Sequence, residues 1–161
     1  MKKRNMIRIA IAAFWLIGTL GILAKYRGDV RDILWINLTG FCAVLLFLSF
    51  LFTYILRRMR PKKEGFHKIE YLFPAFIALM SLYPLLMLGS LTADFIQGPV
   101  IKEAVIADKW DPRRGSDQAK TTDGETFDFA SKEVKLEVGR KYRVKVLDRA
   151  GIIISAEELP K

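Results

Sequence analysis

Residues 33–56 read ILWINLTGFCAVLLFLSFLFTYIL, a continuous apolar run without Asp, Glu, Lys, Arg or His. A helix of roughly 20 such residues crosses a hydrocarbon core about 30 Å thick. Residues 9–24 and 71–91 form two further runs of the same character. We therefore expect three transmembrane helices. The loops between them are short, so neighbouring helices should run antiparallel and form a bundle.

Charge is distributed unevenly along the 161 residues. Residues 1–96 hold 13 Lys and Arg against 5 Asp and Glu, whereas residues 97–161 hold 13 against 12. A tail that bound nucleic acid would itself hold the basic excess, so nucleic acid is not an expected partner. The change in composition predicts two domains, a three-helix transmembrane region at 1–96 and a small soluble domain at 97–161.

The basic residues outside the runs predict the orientation of the chain. Residues 1–8 hold four Lys and Arg and residues 57–70 hold six, whereas the loop at 25–32 holds three. Lys and Arg close to helix ends are retained on the cytoplasmic side. We therefore expect a multi-pass protein of the plasma membrane with a cytoplasmic N-terminus and an extracytoplasmic tail. The first run has no Ala-x-Ala-like site after it, which favours an uncleaved anchor over a signal peptide.

A few residues within the runs are candidates for packing and for helix distortion. Small residues let membrane helices approach closely, so Gly18 and Gly40 are predicted packing points. Pro84 lies in the middle of the third run, where its missing N–H should kink the helix. Such a kink either is tolerated by packing or lines a cavity. The runs lack the charged side chains of ion and proton pathways, so a self-sufficient pump is not expected.

A dense basic cluster follows the second run. It consists of Arg57, Arg58, Arg60, Lys62 and Lys63. Clusters of this kind attract anionic lipid headgroups with about 1 kcal/mol per charge near the surface. We predict that the cluster contacts anionic lipids and also helps to set the orientation of the chain.

The tail alternates polar and apolar residues, as half-buried strands do. Candidate strands lie at residues 100–108, 125–129, 134–138, 140–147 and 152–156, and residues 109–122 are expected to form a loop. About five short strands at this spacing predict a sandwich or barrel, and barrel closure removes exposed edges. The expected fold class is thus α+β, three membrane helices followed by an oligonucleotide/oligosaccharide-binding-type (OB) or SH3-like barrel. This arrangement resembles one that is common in bacterial envelopes and includes the membrane partners of some membrane proteases.

The tail offers little for catalysis or metal binding. It contains neither His nor Cys, which removes most general-base and thiol mechanisms. Its carboxylates lack the spacing of a calcium loop. Cys42 lies in the second run and has no second cysteine for a disulfide. We therefore expect no catalytic residues, no cofactor and no metal.

The residues predicted to contact a protein partner are Trp110, Arg113 and Arg114. An exposed tryptophan in this arginine-containing loop suits the binding of a partner or contact with a lipid headgroup. A tryptophan buried against the barrel is the competing interpretation. We expect a non-enzymatic membrane protein that presents its β domain to an envelope or membrane protein. The alternative is an accessory subunit of a transporter or channel that makes contact through the helices near Pro84. A membrane enzyme is a third hypothesis, and a homo-oligomer stays open.

Overall fold

The computed structural model describes residues 3–58, 72–110, 117–129 and 134–160. The first part of the chain forms helices α1 (Lys3–Lys25), α2 (Asp29–Arg58) and α3 (Leu72–Gln97). All three are long and apolar enough to cross a membrane, which confirms the predicted helices. The helices extend beyond most ends of the apolar runs. α2, for example, has acidic residues in its first turn and basic residues in its last, where they complement the helix dipole.

The described chain divides into two compact units. The first, called here the helical unit, comprises Met1–Arg27 and Leu34–Gly89, and the second, the β unit, comprises Gly28–Ile33 and Ser90–Lys161. The end of α3 therefore belongs to the β unit.

Polar and aromatic contacts join the helices within the helical unit. The indole N–H of Trp15 in α1 donates to Thr39 Oγ1 in α2 over 3.1 Å. Phe41 of α2 and Tyr83 of α3 meet edge to face, with ring centroids 6.4 Å apart. A hydrogen bond from the beginning of α1 to Thr53, near the end of α2, shows that these two helices are antiparallel.

The β unit contains a five-stranded sheet. Its strands are β1 (Val100–Trp110), β2 (Asp117–Thr121), β3 (Thr126–Phe129), β4 (Lys141–Leu147) and β5 (Ile152–Glu158). The pairing order is β1-β2-β3-β5-β4, and β4 also pairs with β1. Each strand thus has two neighbours. The parallel β3–β5 contact joins otherwise antiparallel pairs.

The strand order has a simple origin in the chain path. Three consecutive strands, β1 to β3, pair in sequence, and β4 returns beside β1. This 4-1-2-3 order is that of a Greek key. β5 then fills the space between β4 and β3. Side chains that point inward form one apolar core, and Ile106, Phe129, Val144 and Val146 are almost completely buried in it.

The number of strands agrees with the sequence prediction, but two of the predicted segments are wrong. β2 lies inside the segment expected to be a loop. Residues 134–138, expected to be a strand, have no strand pairing, although Val134 and Leu136 are buried. Alternation reports which side chains are buried, and not whether the backbone has a strand partner. In this segment the Tyr142 hydroxyl accepts the N–H of Glu137 over 3.0 Å.

Candidate functional site

Trp110, the predicted partner contact, is the last residue of β1 and is 38% exposed. Its backbone lies opposite Gln118 of β2. The two predicted neighbours, Arg113 and Arg114, lie outside the described residues. The structure therefore places a partly exposed tryptophan at the tip of a strand and leaves the rest of the predicted cluster undescribed.

The strand edge beside Trp110 is unusual. β4 pairs with β1 only from Val100 to Val105, whereas residues 108–110 pair with β2 alone. Within the described ranges, the other edge of β1 has no strand partner over residues 108–110, and all of these side chains are exposed. The register shifts between Ile106 and Asp108, as at a β-bulge. The end of β1 consequently forms one half of a two-stranded ribbon whose other edge has no strand partner among the described residues, and this edge is called the open edge below.

Local contacts hold this ribbon in place. The Lys109 ammonium lies 5.3 Å from the centroid of the Phe129 ring, within the range of a cation–π interaction. The Gln118 amide donates to Asp128 Oδ1 over 2.8 Å and so links β2 to β3. The N–H of Lys109 donates to Asp108 Oδ1 over 2.8 Å. This last bond involves an exposed side chain, which a competing backbone acceptor can displace.

The β unit also has a surface pocket of about 350 Å³. Its lining includes the apolar residues Phe127 and Val144 as well as charged side chains. Among the lining residues is Lys102, whose Nζ lies 2.6 Å from Asp148 Oδ1 and 3.3 Å from Glu125 Oε1. The hydrogen bond with Asp148 raises the pKa of Lys102, and Glu125 adds to the effect. Lys102 is therefore held as a cation, which is the wrong charge state for a lysine nucleophile or general base.

No metal centre is evident in the part of the chain that the structure describes. None of its His, Cys, Asp and Glu side chains forms a group of three or more that could hold a metal ion. Cys42 is buried within α2.

The helical unit carries a polar cluster that sequence reasoning missed. Arg8 of α1 donates from Nε to Ser49 Oγ (3.3 Å), and from Nη2 to Ser49 O (3.3 Å) and Thr53 Oγ1 (2.9 Å). Its guanidinium carbon lies 3.8 Å from the centroid of the Phe50 ring. The sequence did contain a signal for this cluster. Ser49 and Thr53 are four residues apart and so lie on one face of an apolar helix, and Arg8 directly precedes the first apolar run.

The predicted basic cluster is described only in part. Arg57 and Arg58 form the exposed end of α2, and Arg58 Nη1 lies 3.5 Å from the Tyr54 hydroxyl. Arg60, Lys62 and Lys63 lie outside the described residues. The contact between Arg8 and Thr53 brings the basic start of α1 to the same end of the helical unit as Arg57 and Arg58.

The predicted packing residues occupy different environments. A Cβ built on Gly18 would lie 2.8 Å from Leu38 Cδ2, so α1 and α2 approach closely there. A Cβ on Gly40 would meet no described heavy atom within 4 Å. Pro84 is buried inside α3, which continues through it as one helix. The hydroxyl of Ser81 donates to the carbonyl of Ile77 over 2.8 Å.

Asp94 is the second residue that the sequence did not single out. It lies in the last turns of α3 and is only 1% exposed. Its Oδ1 accepts the N–H of Arg149 over 3.0 Å, and its Oδ2 accepts the N–H of Ala150 over 2.7 Å. Both donors belong to the turn between β4 and β5. The carboxylate thus fixes that turn to the end of the helix.

Comparison with known proteins does not place the chain in a family. No protein-family model, curated protein sequence or solved structure matches the chain. A functional assignment must therefore come from the surfaces described above, namely the open end of β1, the β-unit pocket and the polar cluster of the helical unit.

Proposed function

We propose that this chain is a non-enzymatic, multi-pass protein of the plasma membrane, and that its β unit lies outside the cytoplasm and binds an envelope or membrane protein. The observation that carries the proposal is the open strand edge at residues 108–110, which ends in the partly exposed Trp110. An open edge and an exposed aromatic side chain are costly on a free surface, and natural sheets usually protect such edges.

Strand addition is the mode of binding that this edge favours. An extended segment of a partner can pair with the free backbone groups of a sheet edge, while side-chain contacts give specificity. Tryptophan is enriched among residues that dominate binding energies. The membrane anchor concentrates the β unit near other membrane and envelope proteins, so a short pairing suffices for capture.

The closed pairing order supports an OB-type barrel over an SH3-like one. OB folds are five-stranded Greek-key barrels, and both the five strands and the Greek-key order are present here. The proposed orientation gains support from the contact between Arg8 and Thr53. It places two basic helix ends together, and such ends are retained on the cytoplasmic side.

Crosslinking in native membranes, followed by mass spectrometry, tests the proposal. Trp110→Ala should lower the yield of the partner adduct about 30-fold, because a hot spot contributes about 2 kcal/mol or more. Ile101→Ala is the matched control, since Ile101 is also apolar and exposed on β1 but lies at the end of the strand that pairs with β4. Equal adduct yields for wild type and Trp110→Ala, with normal membrane insertion, would contradict the proposal.

An accessory subunit of a transporter or channel is the second candidate, and Gly40 favours it. Its open surroundings leave room for a helix of another chain to approach the backbone of α2 closely. In this case Gly40→Leu should abolish co-purification of the complex, whereas Trp110→Ala should leave it intact. The opposite pattern would support binding through the β unit.

A further inference from the structure

An apolar cleft opens between the three helices of the helical unit, at the end where α1 begins and α2 ends. Its volume is about 330 Å³, near the lower end of the roughly 300–1,000 Å³ typical of ligand pockets. The apolar walls include Ile7 and Ile11 of α1, Phe52 and Leu56 of α2, and Ile77 and Leu85 of α3. Ser49 and Thr53 also line it.

Arg8 stands at the polar rim of this cleft. It follows the wall residue Ile7, and its guanidinium binds the two lining residues Ser49 and Thr53. These contacts and the Phe50 ring fix the orientation of the guanidinium. They use the Nε and Nη2 groups, and Nη1 has no hydrogen-bond partner among the residues that the structure describes. A pre-oriented guanidinium whose Nη1 N–H pair is not used by any described residue is suited to bind a phosphate oxygen.

Arg8 also lacks a counter-ion in the described ranges, since no Asp or Glu there forms an ion pair with it. An arginine in a membrane helix is costly unless it is paired or reaches the interface. Arg57 and Arg58 add two exposed positive charges directly after the wall residue Leu56. Basic pockets between transmembrane helices are a known type of site for anionic lipid headgroups.

We propose that the cleft binds one anionic phospholipid. The lipid phosphate lies against Arg8 Nη1, with Arg57 and Arg58 supplying further positive charge, and one acyl chain lies between the walls of the cleft. Charge selects the headgroup, and the apolar walls hold the chain. This site belongs to the helical unit and does not depend on the proposed role of the β unit.

Lipid retention by the full-length protein tests the headgroup contact. The protein is reconstituted into an equimolar mixture of phosphatidylglycerol and phosphatidylcholine, extracted in mild detergent and analysed by native mass spectrometry. The wild type should retain one phosphatidylglycerol in preference to phosphatidylcholine. Arg8→Gln should lower that preference about fivefold, the effect of one charge near the membrane surface. Arg27→Gln is the control, because Arg27 is exposed in the loop between α1 and α2.

Two further variants show whether misfolding could explain the effect of Arg8→Gln, and whether an acyl chain occupies the cleft. Arg57→Gln combined with Arg58→Gln removes no described contact between helices and should also lower the preference. Ala78→Trp should fill the cleft and release the lipid, since Ala78 lines it. Ala75→Trp is its control, because Ala75 is exposed on α3 and does not line the cleft.

Each outcome decides the proposal. Reduced retention in Arg8→Gln, in the double arginine variant and in Ala78→Trp, with both controls unchanged, supports it. Equal retention of the two lipids by the wild type overturns it. If the arginine variants lose the preference for phosphatidylglycerol and Ala78→Trp keeps it, no acyl chain lies in the cleft. The protein then attracts anionic lipid only through its surface charge, which overturns the proposal. The bound lipid is also challenged with inorganic phosphate and with phosphatidylglycerol vesicles. If phosphate displaces it as effectively as the vesicles do, the site recognises a phosphate group and not a lipid, which overturns the proposal.

Discussion

Asp94→Ala should loosen the turn between β4 and β5. The wild-type carboxylate is almost completely buried and accepts two backbone N–H groups, those of Arg149 and Ala150. Hydrogen bonds to a charged group contribute about 1.5–3 kcal/mol each. The loss of both bonds should therefore destabilise the turn by about 3–6 kcal/mol. Asp94→Asn retains one acceptor oxygen and should have about half of that effect.

Hydrogen exchange at the two turn amides measures this loss directly. In full-length protein in detergent, exchange of the Arg149 and Ala150 N–H groups should become at least about 100-fold faster in Asp94→Ala, since 1.4 kcal/mol corresponds to a factor of ten. Asp123→Ala is the control, because Asp123 is exposed in another turn of the β unit. Unchanged exchange at both amides in Asp94→Ala would refute the proposed role of the carboxylate.

Two further predictions concern helix packing and pH. Gly18→Ala should be about 1 kcal/mol less stable than Gly40→Ala in detergent unfolding, because only the first substitution forces the Leu38 side chain to shift. Equal stabilities would exclude close packing at Gly18. The hydrogen bond from Lys141 lowers the pKa of Glu103 from its ordinary 4.5. That pair stabilises the fold above about pH 4.5 and loses its effect as the pH falls further. When the urea midpoint of unfolding is measured against pH, it should therefore fall less steeply on the acid side in Glu103→Gln than in the wild type. Identical profiles would argue against the pair.

Much of the helical architecture could be predicted because the membrane imposes a simple rule on sequence. A spanning segment must be long, apolar and helical, and the three runs satisfy that rule. The β content of the tail was predictable for a similar reason, since alternation reports a sheet with one buried face. β2 escaped detection because only Ala119 and Thr121 of its five residues are buried, and neither is a large apolar residue.

The polar contacts could not be predicted because their partners are far apart in sequence. Arg8 and Thr53 are separated by 45 positions, and Asp94 and Ala150 by 56. Both charged residues lie just outside an apolar run, where a flanking charge is ordinary. Only the folded arrangement shows that one is held by hydroxyls of a neighbouring helix and that the other accepts two backbone N–H groups of a turn.

Cysteine labelling from outside intact cells tests the proposed location of the β unit most directly. In a Cys42→Ser background, Lys120→Cys places one thiol on the exposed side of β2, and Asn5→Cys places one at the start of α1 as a cytoplasmic reference. A membrane-impermeant maleimide should label Lys120→Cys in intact cells and Asn5→Cys only after the membrane is broken. Labelling of Lys120→Cys only after lysis would place the β unit inside the cell and contradict the proposed function.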